Sequence, residues 1–342
     1  MTRKLVDYTS NYFSSPALAT LKAAVANIGS VPMWVPIIGS STTEGGNALT
    51  REKRYLSRLE KEYQLRFAPN GRGGIWVRAS DWGTTGTTSI VSKGLGNRSR
   101  SLAQDATTSF TYGPASGYTI SFAEGNNAQP FTVQIDALTP VTVTPATSGA
   151  TRYTGKVYVD ALTRARHTIK ITADNPCIIN GAYIHDGDAT AGIHFINGGL
   201  GGTFANSFTD ASIYEQIGAF QAPMVGIMIG SNDYNADVVP ATYKSNVAGM
   251  IDLIDSVTTA SIVLIHSYRR FDTSDPAYPW ADYGSKLAEL AAERYNVFYL
   301  DISAEYPANQ GVDSLNLIDT DGIHQTDTGH EYMELLLANG VK

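Results

Sequence analysis

Val35–Gly45 reads VPIIGSSTTEG. Val35, Ile37 and Ile38 form a short apolar run that breaks at Gly39, and two serines, two threonines, a glutamate and a second glycine follow. An apolar strand that ends in a Gly-flanked serine, with helix-forming sequence soon after, places that serine at the carboxyl edge of a sheet. In open α/β sheets ligands bind at that edge. Ser41 is therefore the candidate nucleophile around which the remaining segments are read.

The flanks extend this pattern. Ser15-Pro16 opens an Ala/Leu-rich stretch, Ala17–Val25, expected to pack as a helix on the main body. In 49–67, Tyr55, Leu59, Tyr63 and Phe67 recur every four residues between Arg51, Lys53, Arg58 and Lys61, the signature of an amphipathic helix on a sheet. The helix should stop at the breakers Ala68-Pro69-Asn70-Gly71. From 70 to 190 helical periodicity gives way to alternation. Tyr118/Ile120/Phe122, Phe131/Val133/Ile135, Val141/Val143 and Ile169/Ile171 are separated by Gly113-Pro114, Gly125-Asn126-Asn127, Pro140 and Asp174-Asn175-Pro176. Short alternating strands at such spacing predict an antiparallel β-sandwich of jelly-roll-like type.

Beyond it strand and helix alternate again. Strands are expected at 193–196, 224–229, 261–265 and 297–300. Helices are expected at 210–220, 241–257, 283–295 and 327–338, with Asp327 a candidate cap for the last. The fold class is thus α/β: a three-layer, flavodoxin-like sheet of about five parallel strands with helices on both faces, plus an inserted sandwich. Residues 1–69 and 191–342 form the discontinuous main domain, and 70–190 form the insert.

Composition narrows the function classes. The chain has 342 residues, 43% hydrophobic and 17% charged, with a net charge of −7. That balance, and the absence of a Lys/Arg run, argues against nucleic acid as a partner. The single cysteine, Cys177, excludes an internal disulfide framework. The first thirty residues lack the apolar core of a signal peptide, and no run approaches the roughly 20 apolar residues of a membrane span. His167, His185 and His194 lack zinc-ligand spacing, so neither a metal nor a cofactor is expected. The glycine run NGGLGG at 197–202 lacks the Lys-Ser/Thr of a phosphate loop.

Four segments fall at expected strand ends: the Ser41 loop, the Gly199 loop, the Asn232 loop and 319–330, which reads DTDGIHQTDTGH. On a parallel sheet these ends converge. Asp321 and His324 are three apart, a spacing that lets a carboxylate reach its own downstream imidazole. A serine hydroxyl needs a base to take its proton, and the base needs a third group to fix its tautomer. Ser41, His324 and Asp321 supply these roles. The Ser41 and Gly199 N–H groups and the Asn232 amide are the candidate oxyanion donors.

These blocks resemble the SGNH (GDSL-type) hydrolase family. Its GDSxTxG block is matched by Gly39–Gly45, its Asn/Gly loop by Asn197–Gly202, its GxND by Gly230–Asp233, and its DxxH by Asp321–His324. The match spans roughly 31–67 and 192–340. The resemblance implies a Ser41/His324/Asp321 triad with Gly199 and Asn232 in the oxyanion hole. One departure is Ser40, where the family has Asp; a serine keeps one hydrogen bond but not the charge.

The expected activity is a serine esterase that removes short acyl groups, O-acetyl foremost, from a polysaccharide. The competing readings are a carbohydrate-binding phage-tail or virion-surface protein with a vestigial site, and a long-chain lipase or thioesterase. A virion or other extracellular surface would suit a chain without leader or disulfides, and a homo-oligomer or larger assembly stays open. Trp76, Trp82, Tyr112, Tyr118 and Tyr158 are aromatics that could stack on sugar, although sandwich core is the commoner fate of such residues. His266, at a strand end, either lines the pocket or packs in the core. His330 and Asp233 are read as structural hydrogen-bonders, and Glu44 as a solvated or first-turn anion.

Overall fold

A computed structural model describes residues 14–68, 73–126, 128–159, 163–187, 191–273 and 276–340. The breakers at 69–71 and most of the lead-in's first residues lie outside the described residues, as do both expected domain junctions, near 70 and 190.

The apolar runs become a five-stranded parallel sheet in the order Gly192–Gly199, Pro32–Gly39, Met224–Met228, Ser261–His266, Val297–Asp301. In chain order this is 2-1-3-4-5. The order reverses beside Pro32–Gly39, so the crevice at that strand's carboxyl end, where Ser41 sits, is the topological switch point. Within the strand, side chains alternate between two cores. Val35 and Ile37 join Tyr55, Leu59, Tyr63, Met333 and Leu337 on one face. Trp34 and Ile38 join Ile217, Val247, Ile251, Tyr283 and Leu287 on the other. Helices Tyr55–Phe67 and Asp327–Gly340 thus cover one face, while Ala211–Ala219, Pro240–Asp255 and Trp280–Glu293 cover the other.

The helix expected over 49–67 begins only at Tyr55. Arg51–Lys53 is a 3-10 turn, and Arg54 is extended before the helix starts. At the last helix the capping oxygen comes from Thr326, whose Oγ1 accepts from Gly329 N at 3.1 Å. Asp327 is instead drawn to Leu49 N and Lys53 Nζ, at 3.1 and 2.5 Å.

Between Tyr55–Phe67 and Gly192–Gly199 lie two antiparallel sheets. One contains Arg152–Val159, Gly117–Glu124, Cys177–His185, Ser99–Leu102 and Thr88–Val91, with Gly74–Arg78 paired to Cys177–His185. The other contains Gly83–Thr85, Thr107–Ala115, Ala165–Ala173, Phe131–Ile135 and Val141–Val143. The alternating residues expected to point inward do so. Tyr118, Ile120, Phe122, Phe131, Val133, Ile135, Val143, Ile169 and Ile171 form one core between the sheets. Val141 is the exception and is exposed.

The first of these sheets is buried on its outer face as well. Gly117–Glu124 is buried at every residue but the last. Tyr183 meets Trp34 edge-on, with ring centroids 5.2 Å apart, and Gln216 Nε2 donates to Ser121 Oγ at 3.1 Å. The sandwich is therefore docked on the α/β body.

Candidate active site

Ser41 opens a one-turn helix, Ser41–Glu44, directly after Gly39 and Ser40. Only glycine fits at 39, because a Cβ there would lie 2.4 Å from the Met228 carbonyl oxygen on the neighbouring strand. Gly45 closes the turn in the left-handed region, φ 91°. Gly46 N then donates back to the Ser41 carbonyl at 2.8 Å.

His324 arrives from the other end of the chain. Its Nδ1 bonds Asp321 Oδ2 at 2.7 Å, and its own N–H donates to Asp321 Oδ1 at 2.9 Å. The turn is closed on itself, since Asp319 N donates to the His324 carbonyl at 2.8 Å. The other edge of the ring faces the serine turn. A Cβ built on Gly46 would lie 2.6 Å from His324 Cδ2 and 3.1 Å from Nε2. The His324 ring edge therefore lies against Gly46, whose N–H is bonded to the Ser41 carbonyl. Burial raises the Asp321 pKa, but the N–H groups of His324 and Ile323 and the imidazole outweigh it and hold the carboxyl below its ordinary value.

Asn232 is the second residue of the short helix Ser231–Asn235 that follows Met224–Met228. Its Nδ2 donates to the Thr203 carbonyl at 2.8 Å, and its Oδ1 accepts from Arg270 Nη1 at 3.2 Å. The neighbouring Asp233 accepts from Ala205 N at 3.1 and 3.3 Å, the structural role expected of it. Burial pushes its carboxyl up to about 6 against those bonds. Adjacent residues thus hold both ends of the 203–205 segment.

Gly199 is held differently from the expectation. Its N–H donates to Asn197 Oδ1 at 2.9 Å, within its own loop. Its lack of a side chain is required for packing, because a Cβ would fall 2.2 Å from Glu44 N. Gly201 lies nearer the serine: a Cβ built there would be 3.6 Å from Ser41 Cβ.

Three possible substrate contacts, Trp76, Trp82 and His266, are instead core. Trp76 is 4% exposed, Trp82 3% and His266 2%. Trp76 packs edge-on to Phe220, Trp82 stacks on Phe110, and His266 stacks on Trp280 with centroids 4.4 Å apart. All three are core, because the first antiparallel sheet and the strand ends are covered on both sides. Tyr118 is fully buried as well, whereas Tyr158 is 42% exposed. Glu44 is in the first turn but is not simply solvated. Its carboxylate accepts from Arg78 Nη2 at 2.7 Å and from Gly201 N at 2.6 Å. His330 is structural, its Nε2 meeting the Gly46 carbonyl at 3.2 Å.

Several residues around the site were not legible. Asn47 Nδ2 donates to Asp319 and Asp321, at 2.8 and 3.1 Å. The Tyr268 hydroxyl donates to the Ile323 carbonyl at 2.7 Å and lies 3.3 Å from Thr42 Oγ1, which ties the serine helix to the histidine turn. Arg78, from the antiparallel sheet, reaches both Glu44 and the Gly199 carbonyl. Among the described residues no cluster of three or more His, Cys, Asp or Glu is placed to hold a metal, and no helix is long and apolar enough to cross a membrane.

The GDSL-like lipase/acylhydrolase family matches residues 181–332, which hold the Gly199, Asn232 and Asp321–His324 segments but not Ser41. No curated protein matches. The solved structure of a peptidoglycan O-acetylesterase aligns over 95% of both chains at 17% identity, with a TM-score of 0.70, so the whole fold is shared, sandwich included. A family two carbohydrate esterase from Cellvibrio japonicus aligns over 77% of this chain and 96% of its own at 15% identity, with a TM-score of 0.34. Residues 181–332 carry a GDSL-like lipase/acylhydrolase domain, which bears out the resemblance to the SGNH (GDSL-type) hydrolases and makes the protein a carboxylic ester hydrolase.

Proposed function

We propose that the protein removes short acyl groups, O-acetyl in particular, from a polysaccharide by an acyl-enzyme route. The observation that carries this reading is the approach of the Asp321-bound imidazole to the Gly46 backbone that caps Ser41. Asp321 fixes the His324 tautomer with Nδ1 protonated, leaving Nε2 as the base on the serine side. Ser41 Oγ attacks the ester carbonyl while its proton passes to Nε2. The imidazolium then protonates the departing sugar hydroxyl. A water activated by the same nitrogen releases the acid and regenerates the serine.

The oxyanion is assigned to two donors. The Ser41 N–H, first in its helix, has no intrahelical acceptor, and one hydrogen of Asn232 Nδ2 remains after Thr203 takes the other. In this arrangement Gly199 serves by allowing close packing. The polar groups bonded to Asp321 and Asn232 (Asn47, Thr203 and Arg270) favour a short acyl group over a long chain, which would need an apolar trough. The likeness to a peptidoglycan O-acetylesterase supports an O-acetylated glycan as the substrate class. We assign residues 70–190 to an accessory module, with Tyr158 as its exposed aromatic.

The test is turnover of p-nitrophenyl acetate. Ser41→Ala should abolish it with circular dichroism unchanged, and retention of most activity would remove the assignment. Acetate release from a panel of O-acetylated polysaccharides then identifies the glycan.

A further inference from the structure

The segment after Ser261–His266 carries no block of the family pattern, yet it touches the serine helix, Asn232 and the histidine turn. Tyr268 bonds the histidine turn and approaches the serine helix. Phe271 N donates to the Gly322 carbonyl at 2.6 Å, inside the Asp321–His324 turn. Gly322 has φ 69°, and a Cβ on it would lie 3.1 Å from Asp272 N, so the two segments are packed backbone to backbone.

Arg270 stands between these contacts. It is 6% exposed. Its Nε and Nη2 grip the two Asp272 oxygens at 2.6 Å each, a bidentate fork that leaves Nη1 for Asn232 Oδ1 at 3.2 Å.

We infer that Arg270 is a positioning residue for ester hydrolysis: anchored by Asp272, it locks the Asn232 amide in the one orientation that presents an N–H to the oxyanion. This rests on the assignment of Asn232 to the oxyanion hole. An asparagine amide can rotate by half a turn at little steric cost, and a rotated one would present oxygen to the developing negative charge. Here rotation would set Oδ1 against the Thr203 carbonyl and the NH₂ group against a guanidinium, two repulsions in place of two hydrogen bonds. The permanent positive charge also polarises the amide, making its free N–H a stronger donor. Lysine cannot replace it, because one ammonium does not present the planar fork that holds Asp272 and Asn232 together.

The test is steady-state hydrolysis of p-nitrophenyl acetate by the full chain and by Ser41→Ala, Asn232→Ala, Arg270→Met, Arg270→Lys and the Asn232→Ala/Arg270→Met double variant. Loss of one oxyanion donor costs about 10²–10³ in kcat, and a disoriented donor should cost about tenfold. Arg270→Met should therefore lower kcat about tenfold with KM unchanged, and Arg270→Lys should not restore it. Arg270→Met should add nothing in the Asn232→Ala background, because both changes remove one donor. A parental kcat in Arg270→Met, or a loss additive with Asn232→Ala, overturns the inference. If Arg270→Met does not fold, Asp272→Asn decides by the same criterion: a kcat loss absorbed by Asn232→Ala supports it, and an additive or absent loss overturns it. An active Ser41→Ala instead removes the catalytic reading beneath it, an outcome distinct from either.

Discussion

Arg78 Nη2 donates to Glu44 Oε1 at 2.7 Å, joining the first strand of the antiparallel module to the turn that begins with Ser41. The same guanidinium reaches the Gly199 carbonyl at 3.1 Å, and Glu44 passes the link to Gly201 N at 2.6 Å. Where the family carries Asp before the serine, this chain has Ser40, buried and making no side-chain cap. The charge that braces the serine turn comes instead from Glu44, held by the module.

Arg78→Met should therefore weaken both stability and catalysis. It leaves a partly buried carboxylate without its charged partner, which costs about 1–3 kcal/mol. Thermal unfolding should show a lowered midpoint, and p-nitrophenyl acetate turnover should fall. Unchanged activity would mean that the module's contact does not set the geometry of the serine turn.

Tyr268→Phe removes the hydroxyl that bonds Ile323 O and lies beside Thr42 Oγ1. The expected cost is about 1–2 kcal/mol, since the ring stays packed and only hydrogen bonds are lost. The kcat should fall as well, because the bridge ties the serine helix to the histidine turn. Denaturant unfolding and kinetics on one preparation check both.

Asp321→Asn keeps the shape of the turn but no longer fixes the imidazole tautomer. In a triad of this type that change costs about 10⁴ in kcat. The expected outcome is a loss of that order with binding little changed, read as kcat against KM.

The pH dependence of stability has two arms. Burial raises the Glu60 carboxyl from 4.5 to about 8, against bonds from Tyr183, Phe195 N and Gly74 N. The folded state then binds more protons than the unfolded one between these values, so stability falls as pH rises from about 4.5 to 8. The slope reaches about 1.4 kcal/mol per pH unit. His266 and His330 are lowered by burial to about 4, and His185 lies well below its usual value. For these the unfolded state binds more protons, so their contribution is lost as pH falls below 6.5. The stability maximum should lie near pH 6.5. Glu60→Gln should flatten the alkaline arm and steepen the acid arm between about pH 4.5 and 6.5, where the Glu60 slope opposes that of the histidines, as read by urea unfolding across pH.

Much of this was legible because it is local. The run at 35–38, the four-residue spacing of Tyr55, Leu59 and Tyr63, and the alternation at 118–122 and 131–135 report burial directly. The Asp321-to-His324 contact follows from a spacing of three within one turn. The errors arose where burial comes from distant chain. Trp76 and Trp82 stood between sugar stacking and core, and both are core: the α/β body covers the first sheet's outer face over Trp76, and the sandwich core takes Trp82. Arg270, Tyr268 and Arg78 gave no signal, because each gains its meaning from partners 34 to 226 residues away. The N–H of Gly199 was misjudged for the opposite reason, since Asn197 intercepts it from two residues away.

The most direct measurement is chemical labelling of the nucleophile. Phenylmethylsulfonyl fluoride reacts with a serine only when a base takes its proton, so peptide mass spectrometry after labelling reports the site itself. One adduct is expected, on Ser41, lost together with esterase activity in Asp321→Asn and absent in Ser41→Ala. An adduct on another residue, or full inactivation with Ser41 unlabelled, would contradict it.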